Sequence, residues 1–197
     1  MAQDSSGIRI TGAVPVSPDH KLQLLGADGE VVFGEGVKLI GLTKVNFKTG
    51  GGRLLVGAGV ELRGSFTIGD GSDVIIGAKT RINRHCLFIA LEAAKIKIGK
   101  RCLLSNCTLR TCDMHTLVDD SGKRVNPSRS IVLEDRVWLA ENTYVCKGVT
   151  MEHDSVAAAN AVVAKNVPPH TVVAGNPAKP VKTGVSWLRK RVPMPEE

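Results

Sequence analysis

Residues 133–168 read LEDRVW LAENTY VCKGVT MEHDSV AAANAV VAKNVP, six hexads in succession without a slip. The first positions are Leu133, Leu139, Val145, Met151, Ala157 and Val163, and the fifth are Val137, Thr143, Val149, Ser155, Ala161 and Val167. Second positions (Glu134, Ala140, Cys146, Glu152, Ala158, Ala164) are mostly small or acidic. At about 100° per residue, a period of six brings a helical side chain to a new face each time and gives no amphipathic stripe. A single strand, with its period of two, cannot use it either. A short strand followed by a corner can: the apolar residue points inward, a small one follows where the backbone bends, and Asp135-Arg136, Glu141-Asn142 and His153-Asp154 turn outward. Such units bury their inner faces only against the coils above and below, which predicts a parallel β-helix.

Composition fits that reading. The 197 residues suit one domain, and 43% of them are hydrophobic while only 4% are aromatic, with 21 glycines. A core of Val, Ile, Leu and Ala suits a narrow, regularly stacked interior. Met1 to Gly7 carries no apolar signal core, and nowhere do about 18 apolar residues run together, so a cytoplasmic location is expected. The five cysteines form no C-x-x-C pair. Cys86 and Cys102 fall at inward fifth positions of hexads starting at Ile82 and Ile98, where small buried thiols are expected.

Working outward, hexads extend back through Phe33, Leu39 and Val45, then Val56, Leu62, Ile68 and Val74, then Ile76, Ile82 and Phe88, then Ile98 and Leu104. Three hexads make one triangular turn. Small insertions at Lys48 to Arg53 and Ala90 to Lys97 bulge from corners, and the count is about six coils, roughly 30 Å of prism at the inter-strand spacing. Residues 1–32 are expected to cap the N-terminal end, with a hairpin signal at Ala27-Asp28-Gly29 between Lys21 to Leu25 and Glu30 to Phe33. The β-helix is assigned to 33–180 and a basic tail to 181–197, with a short helix over Val181 to Arg191. The rhythm breaks at 111–130, a polar insertion long enough to be functional.

Val137-Trp138-Leu139-Ala140, Lys147-Gly148-Val149-Thr150, the run Ala157 to Pro168 and Ala174-Gly175-Asn176-Pro177-Ala178-Lys179 resemble the C-terminal signature of hexapeptide-repeat O-acetyltransferases. The likeness is to the bacterial group acting on galactosides, maltose, capsule and lipopolysaccharide, and it covers most of residues 56–182. It implies a left-handed β-helix, a homotrimer with active sites between subunits, and acetyl-CoA as donor without a metal. The chain departs from the common pattern at Ala157-Ala158-Ala159-Asn160, where relatives often carry a Gly-Ala-Gly-Ser-like run.

The resemblance places the catalytic histidine at His115. A sugar hydroxyl becomes a competent nucleophile toward a thioester when a base of near-neutral pKa accepts its proton, and imidazole titrates in that range. Trp138 is expected beside it, indole N–H toward the reacting acyl group. Asp113, Asn126 and Asn83 are candidates for acceptor contact or loop support; Asp113 and Asn126 read equally as turn residues. Small side chains at Ala140, Ala158, Ala159 and Ala164, with Glu141, would flank the thin pantetheine arm. Lys165, Lys179 and Lys182 match positions near the CoA phosphates, whose charge ammonium groups offset.

Other readings remain open on the residues. The formal charge of +7 suits CoA or an acidic polysaccharide, and no nucleic-acid motif accompanies the basic cluster Trp187 to Arg191. An amino sugar is the competing acceptor. A γ-type carbonic anhydrase would hold zinc through three histidines, but His20, His85, His115, His153 and His170 show no close pairing in sequence. A non-catalytic β-helix scaffold is the third alternative, and a covalent acyl-enzyme on Cys112 or Cys146 a further one.

Overall fold

The computed structural model of the chain describes residues 2–3, 7–12 and 22–194. It is a three-sided parallel β-solenoid, and no helix occurs among those residues. On the first face seven strands stack in parallel and in chain order: Arg9–Gly12, Gly29–Phe33, Gly52–Val56, Ser72–Ile76, Lys95–Ile98, Ile131–Leu133 and Thr150–Met151. The long strands Lys38–Phe47 and Glu61–Ile68 bend around a corner and pair along both remaining faces. The second face then carries Arg81–Ile82, Leu103–Leu104, Trp138–Leu139, Val156–Ala157 and Thr171–Ala174. The third carries Cys86–Ala90, Thr108–Arg110, Tyr144–Val145 and Val162–Val163.

The hexad pattern maps directly onto burial. Leu133, Leu139, Val145, Met151, Ala157 and Val163 are all buried, as are the fifth-position residues Val137, Thr143, Val149, Ser155, Ala161 and Val167. Cys86 and Cys102 fill inward slots as expected, and burial pushes the Cys102 thiol up to about 11. Inward apolar residues stack on one another from rung to rung. Phe66 and Phe88, paired in register, lie 4.6 Å apart and nearly parallel. Fully burying one such Leu, Ile or Phe contributes about 1.5–3 kcal/mol, so many shallow coils together outweigh the entropy of ordering them.

The fourth hexad position makes the corner. Arg136, Asn142, Asp154 and Asn160 there all have φ close to +60°, the left-handed region that turns the chain within one residue. Asn and Asp tolerate this conformation by local hydrogen bonding. Asn142 Nδ2 also donates to Asn160 Oδ1 (3.3 Å), and Asn106 to Asn142, in a ladder along the corner between the second and third faces.

Three expectations are corrected. The solenoid has about seven turns rather than six, because Arg9–Gly12 and Gly29–Phe33 add rungs in register on the first face. The segment around Ala27-Asp28-Gly29 is a corner and not a hairpin: Leu22–Leu25 pairs in parallel with Lys38–Phe47, while Gly29–Phe33 joins the first face. Each strand gains a longer apolar neighbour on the stack than its partner in a hairpin would offer. The C-terminal helix is not formed. Lys179–Thr183 runs antiparallel to Thr171–Ala174, Gly184 takes φ +70°, and the following residues lie extended along the corner between the first and second faces. Tertiary partners override the local preference: Trp187 is buried, its indole N–H donates to Arg136 O, and Arg189 donates to Lys79 O (2.9 Å).

Candidate active site

Insertions collect at the corner where the third face returns to the first. Lys48 to Gly51, Leu91 to Ala94 and the loop 111–130 all leave from it, the last two on successive turns and the first lying two turns before them. A corner that already departs from the hexad rhythm tolerates further residues, because only its own turn is lost from the ladder.

The long loop is ordered by its own polar groups. Val125 N–H donates to Leu117 O and Asp119 N–H to Lys123 O, each at 2.9 Å, forming a small antiparallel finger. Asp119 Oδ1 closes the tip by accepting from the amides of Ser121 (2.9 Å) and Lys123 (3.0 Å). At the base, Glu92 from the neighbouring insertion accepts two bonds from Arg124 Nη2 (2.9 and 3.0 Å) and one from Ser128 Oγ (2.8 Å). These donors hold its carboxyl below the usual range.

Beyond Thr111 at its root, Asn126 is the buried polar side chain of the loop, at 6% exposure. Its amide nitrogen donates to Asp113 Oδ2 (2.9 Å) and His115 O (2.8 Å), and its oxygen accepts from Leu117 N–H (2.9 Å) and Arg124 Nε (3.3 Å). A single side chain thus ties the backbone at His115 and Leu117 to the Asp113 carboxylate on the other side of the histidine, and with the Arg124 bond uses its whole hydrogen-bonding capacity. Asp113 is tied to Lys147 as well; that ammonium first, then Asn126, holds its carboxyl below the usual range. The His115 ring projects from this clamp into solvent-exposed space.

On the third face beside the loop, Arg110 has a buried Nε with no hydrogen-bond partner among the described residues. Burial raises the Tyr144 phenol and the Cys146 thiol, the latter also through the nearby Asp113 charge. A raised thiol is a poor source of thiolate, which disfavours Cys146 as an acyl carrier.

The other candidate residues fall in three places. Ala140, Glu141, Ala158 and Ala159 occupy two consecutive turns of the corner between the second and third faces, where Asn160 N–H donates to Glu141 O (2.9 Å). Asn83 lies on that corner some turns earlier, its amide bonded to Leu104 O (2.9 Å). Ala164 and Lys165 are exposed on the same corner as the loop, one turn beyond Cys146 and Lys147. Lys179 and Lys182 are exposed on the terminal strand. The two alanine-bearing corners therefore bound the third face, and the lysines lie toward its C-terminal end.

Trp138 lies elsewhere. It sits on the second face between Leu103 and Val156, opposite the corner that carries the loop. Within one chain its aromatic neighbour is Trp187, 5.8 Å away between ring centres, and not His115. Sequence reasoning missed Lys147, Arg124, Glu92 and Arg136 as partners of the loop and tail. For Glu92 a signal existed, since its insertion precedes the loop by one turn at the same corner; the others carry none.

No family model matches the chain. It is 30% identical over 131 residues to the polysialic acid O-acetyltransferase of Escherichia coli O1:K1, covering 66% of this chain and 42% of that protein. It is likewise 30% identical over 131 residues to the polysialic acid O-acetyltransferase of Neisseria meningitidis, covering 65% of this chain. The match spans 60% of the length of that second relative. Among solved structures, the polysialic acid O-acetyltransferase OatWY superposes with a TM-score of 0.79 at 26% identity, over 96% of this chain and 91% of that one. The architecture they share is the left-handed parallel β-helix.

Proposed function

We propose, from the premise that this chain belongs to the hexapeptide-repeat acetyltransferase family, that it transfers acetyl from acetyl-CoA to a hydroxyl of a saccharide, with a cell-surface polysaccharide as acceptor. The observation that carries the proposal is the Asn126 clamp, which spends a buried amide on presenting His115 from the one long loop. In this reading the His115 imidazole takes the proton from the acceptor hydroxyl as its oxygen attacks the thioester carbonyl. The imidazolium then returns the proton to the departing CoA sulfur as the tetrahedral intermediate collapses, so no acyl-enzyme is needed. Asp113 and Asn126 position the base and do not themselves meet substrate.

The third face, bounded by Ala140, Ala158 and Ala159 on one corner and Ala164 and Lys165 on the other, supplies small side chains and edge backbone groups for pantetheine. Lys165, Lys179 and Lys182 would meet the phosphates. Trp138 joins this site only from a second copy, since its own loop leaves from the opposite corner. Met114, Leu117, Val118 and Val125 are more than half exposed on the loop, an apolar cluster that subunit packing would cover. Both observations favour a homotrimer with sites between subunits.

The acceptor is proposed to be acidic. Lys and Arg outnumber Asp and Glu by 26 to 19, a balance that suits a polyanionic chain. No helix among the described residues is long and apolar enough to cross a membrane, and five free cysteines fit a reducing, cytoplasmic setting. The test is thiol release from acetyl-CoA by purified protein against polysialic acid, neutral glycans and amino sugars. His115→Ala should lower turnover at least roughly a hundredfold; wild-type turnover in that variant, or no acetylation of any glycan, would reject the assignment.

A further inference from the structure

His153, Asp154 and His170 come together at the corner between the first and second faces, on consecutive turns at the C-terminal end of the solenoid. The two imidazole rings meet edge to face at 4.9 Å. One nitrogen of each ring and one Asp154 oxygen lie within 4.8 Å of one another. The sequence spacing of 153 and 170 gave no hint of this pairing, which arises because His170 stands about one coil beyond His153, its N–H donating to His153 O (3.2 Å).

The chemistry of each donor suits a cation. His170 Nδ1 lies 3.2 Å from Val185 O, and a carbonyl can only accept, so the proton of the neutral ring is held on Nδ1 and Nε2 keeps its lone pair. That arrangement, one ring nitrogen anchored to a backbone carbonyl and the other bare, is how metal-binding imidazoles are oriented. Asp154 Oδ1 is occupied by Arg136 Nε (2.7 Å) and Ser186 Oγ (2.6 Å), while Oδ2 has only a long contact to His153 Nδ1 at 3.4 Å. Glu134 accepts from the His153 amide (3.0 Å), and with Asp135 it lines the recess beside the two residues. The carboxylates of Glu134 and Asp135 offset the Arg136 guanidinium, so the recess is not closed to positive charge.

We propose that His153, Asp154 and His170 form a binding site for a divalent transition cation of the zinc type, for which two imidazoles and one carboxylate are a suitable set. The site stands apart from the His115 loop and does not depend on acetyl transfer. Its effect would be mechanical: His170 holds Val185, Asp154 holds Ser186, and these residues lead to Trp187, which packs on Trp138. A bound cation would lock the last two turns to the tail that covers Trp138.

The experiment is calorimetric titration of the full chain, free of any purification tag, with zinc chloride. One saturable equivalent is expected. His170→Asn, chosen because residue 170 has φ +55° and Asn tolerates that conformation, should weaken binding at least tenfold, as should His153→Gln. His85→Gln should bind as the parent does, since His85 contacts Ser65 on another corner. Zinc should also raise the thermal midpoint of the parent and not that of His170→Asn, and the zinc-free midpoints of the variants should match the parent. Absence of saturable binding in the parent, or parental affinity in either site variant, would overturn the proposal.

Discussion

Replacing Asn126 with Ala removes the two bonds that fix the backbone beside His115, to His115 O at 2.8 Å and from Leu117 N–H at 2.9 Å. Each such bond contributes about 0.5–1.5 kcal/mol net, so the clamp is worth about 1–3 kcal/mol to the loop conformation. If that whole amount is lost from the competent geometry, turnover falls by about fivefold to about 150-fold, at 1.36 kcal/mol per factor of ten. The KM for acetyl-CoA should stay within about twofold, because the residues assigned to CoA lie on the solenoid and not on the loop. The thermal midpoint should hardly move, since the loop stands off the buried stack and opens independently of it. Asn126→Asp should be at least as damaging, as it sets a second carboxylate where the amide donated to Asp113 Oδ2 at 2.9 Å. Steady-state kinetics on the polysaccharide acceptor, beside thermal melts of each variant, decide the matter. A turnover of half the parental value or more in Asn126→Ala would refute the positioning role, and a collapse of the thermal midpoint would show that Asn126 serves the fold instead.

Three further outcomes follow from the same geometry. Asp73 is buried on the first face between Arg53 (2.8 Å) and Lys95 (3.2 Å), with Arg53 first among the causes that lower its pKa. A carboxyl lowered in the folded state contributes stability above its unfolded value near 3.8, and that contribution is lost as pH falls through the folded value. Asp73→Asn should therefore lower the melting midpoint at pH 7 and converge with the parent as the pH falls through the lowered folded value, and a pH-independent gap would count against the ion pair. Brief alkylation of native protein should label Cys146, the partly exposed thiol, and spare buried Cys86, Cys102 and Cys107; mass spectrometry reads the sites, and loss of turnover on labelling would reopen an acyl-enzyme route or show a blocked CoA groove. Leu139→Ala, at a fully buried rung, should cost about 2–5 kcal/mol, measured by denaturant unfolding; a loss below 1 kcal/mol would contradict the close packing of the stack.

The solenoid was legible because its physics is local and repeated. Every inward slot from Leu133 to Val167 obeys the same rule, so the pattern is stated six times over in 36 residues. What the pattern could not carry was anything decided by partners far along the chain. The tail from Val181 has helical composition, yet the docking of Trp187 on Arg136 and of Arg189 on Lys79 depends on residues 51 and 110 positions away. The early rungs at Arg9–Gly12 and Gly29–Phe33 were hidden because outward corners there vary in length and break the count. In the proposed site, His115 stands out because the family resemblance falls on it and the loop that carries it interrupts the rhythm. The clamp of Asn126, Asp113 and Lys147 was beyond reach, since Lys147 meets the loop only after a full turn of the prism.

The triangular cross-section itself explains why residues assigned to one reaction are scattered over one chain. Each coil returns to the same corner after about eighteen residues, so a loop at one corner can meet its own corner on neighbouring turns but never the opposite face. Here Glu92 and Lys147 support the loop from the turns on either side, while Trp138 stays on the second face. A prism of this width cannot fold a loop from one edge around to the far side without passing over a whole strand. A second prism set against that edge meets no such obstacle. Growth of the His115 loop at a single corner, with the second face left to Trp138 and its cover of Trp187, thus favours assembly as the step that would complete the proposed site, and it predicts that dilution below the dissociation range of the oligomer abolishes turnover while leaving the fold of each chain in place.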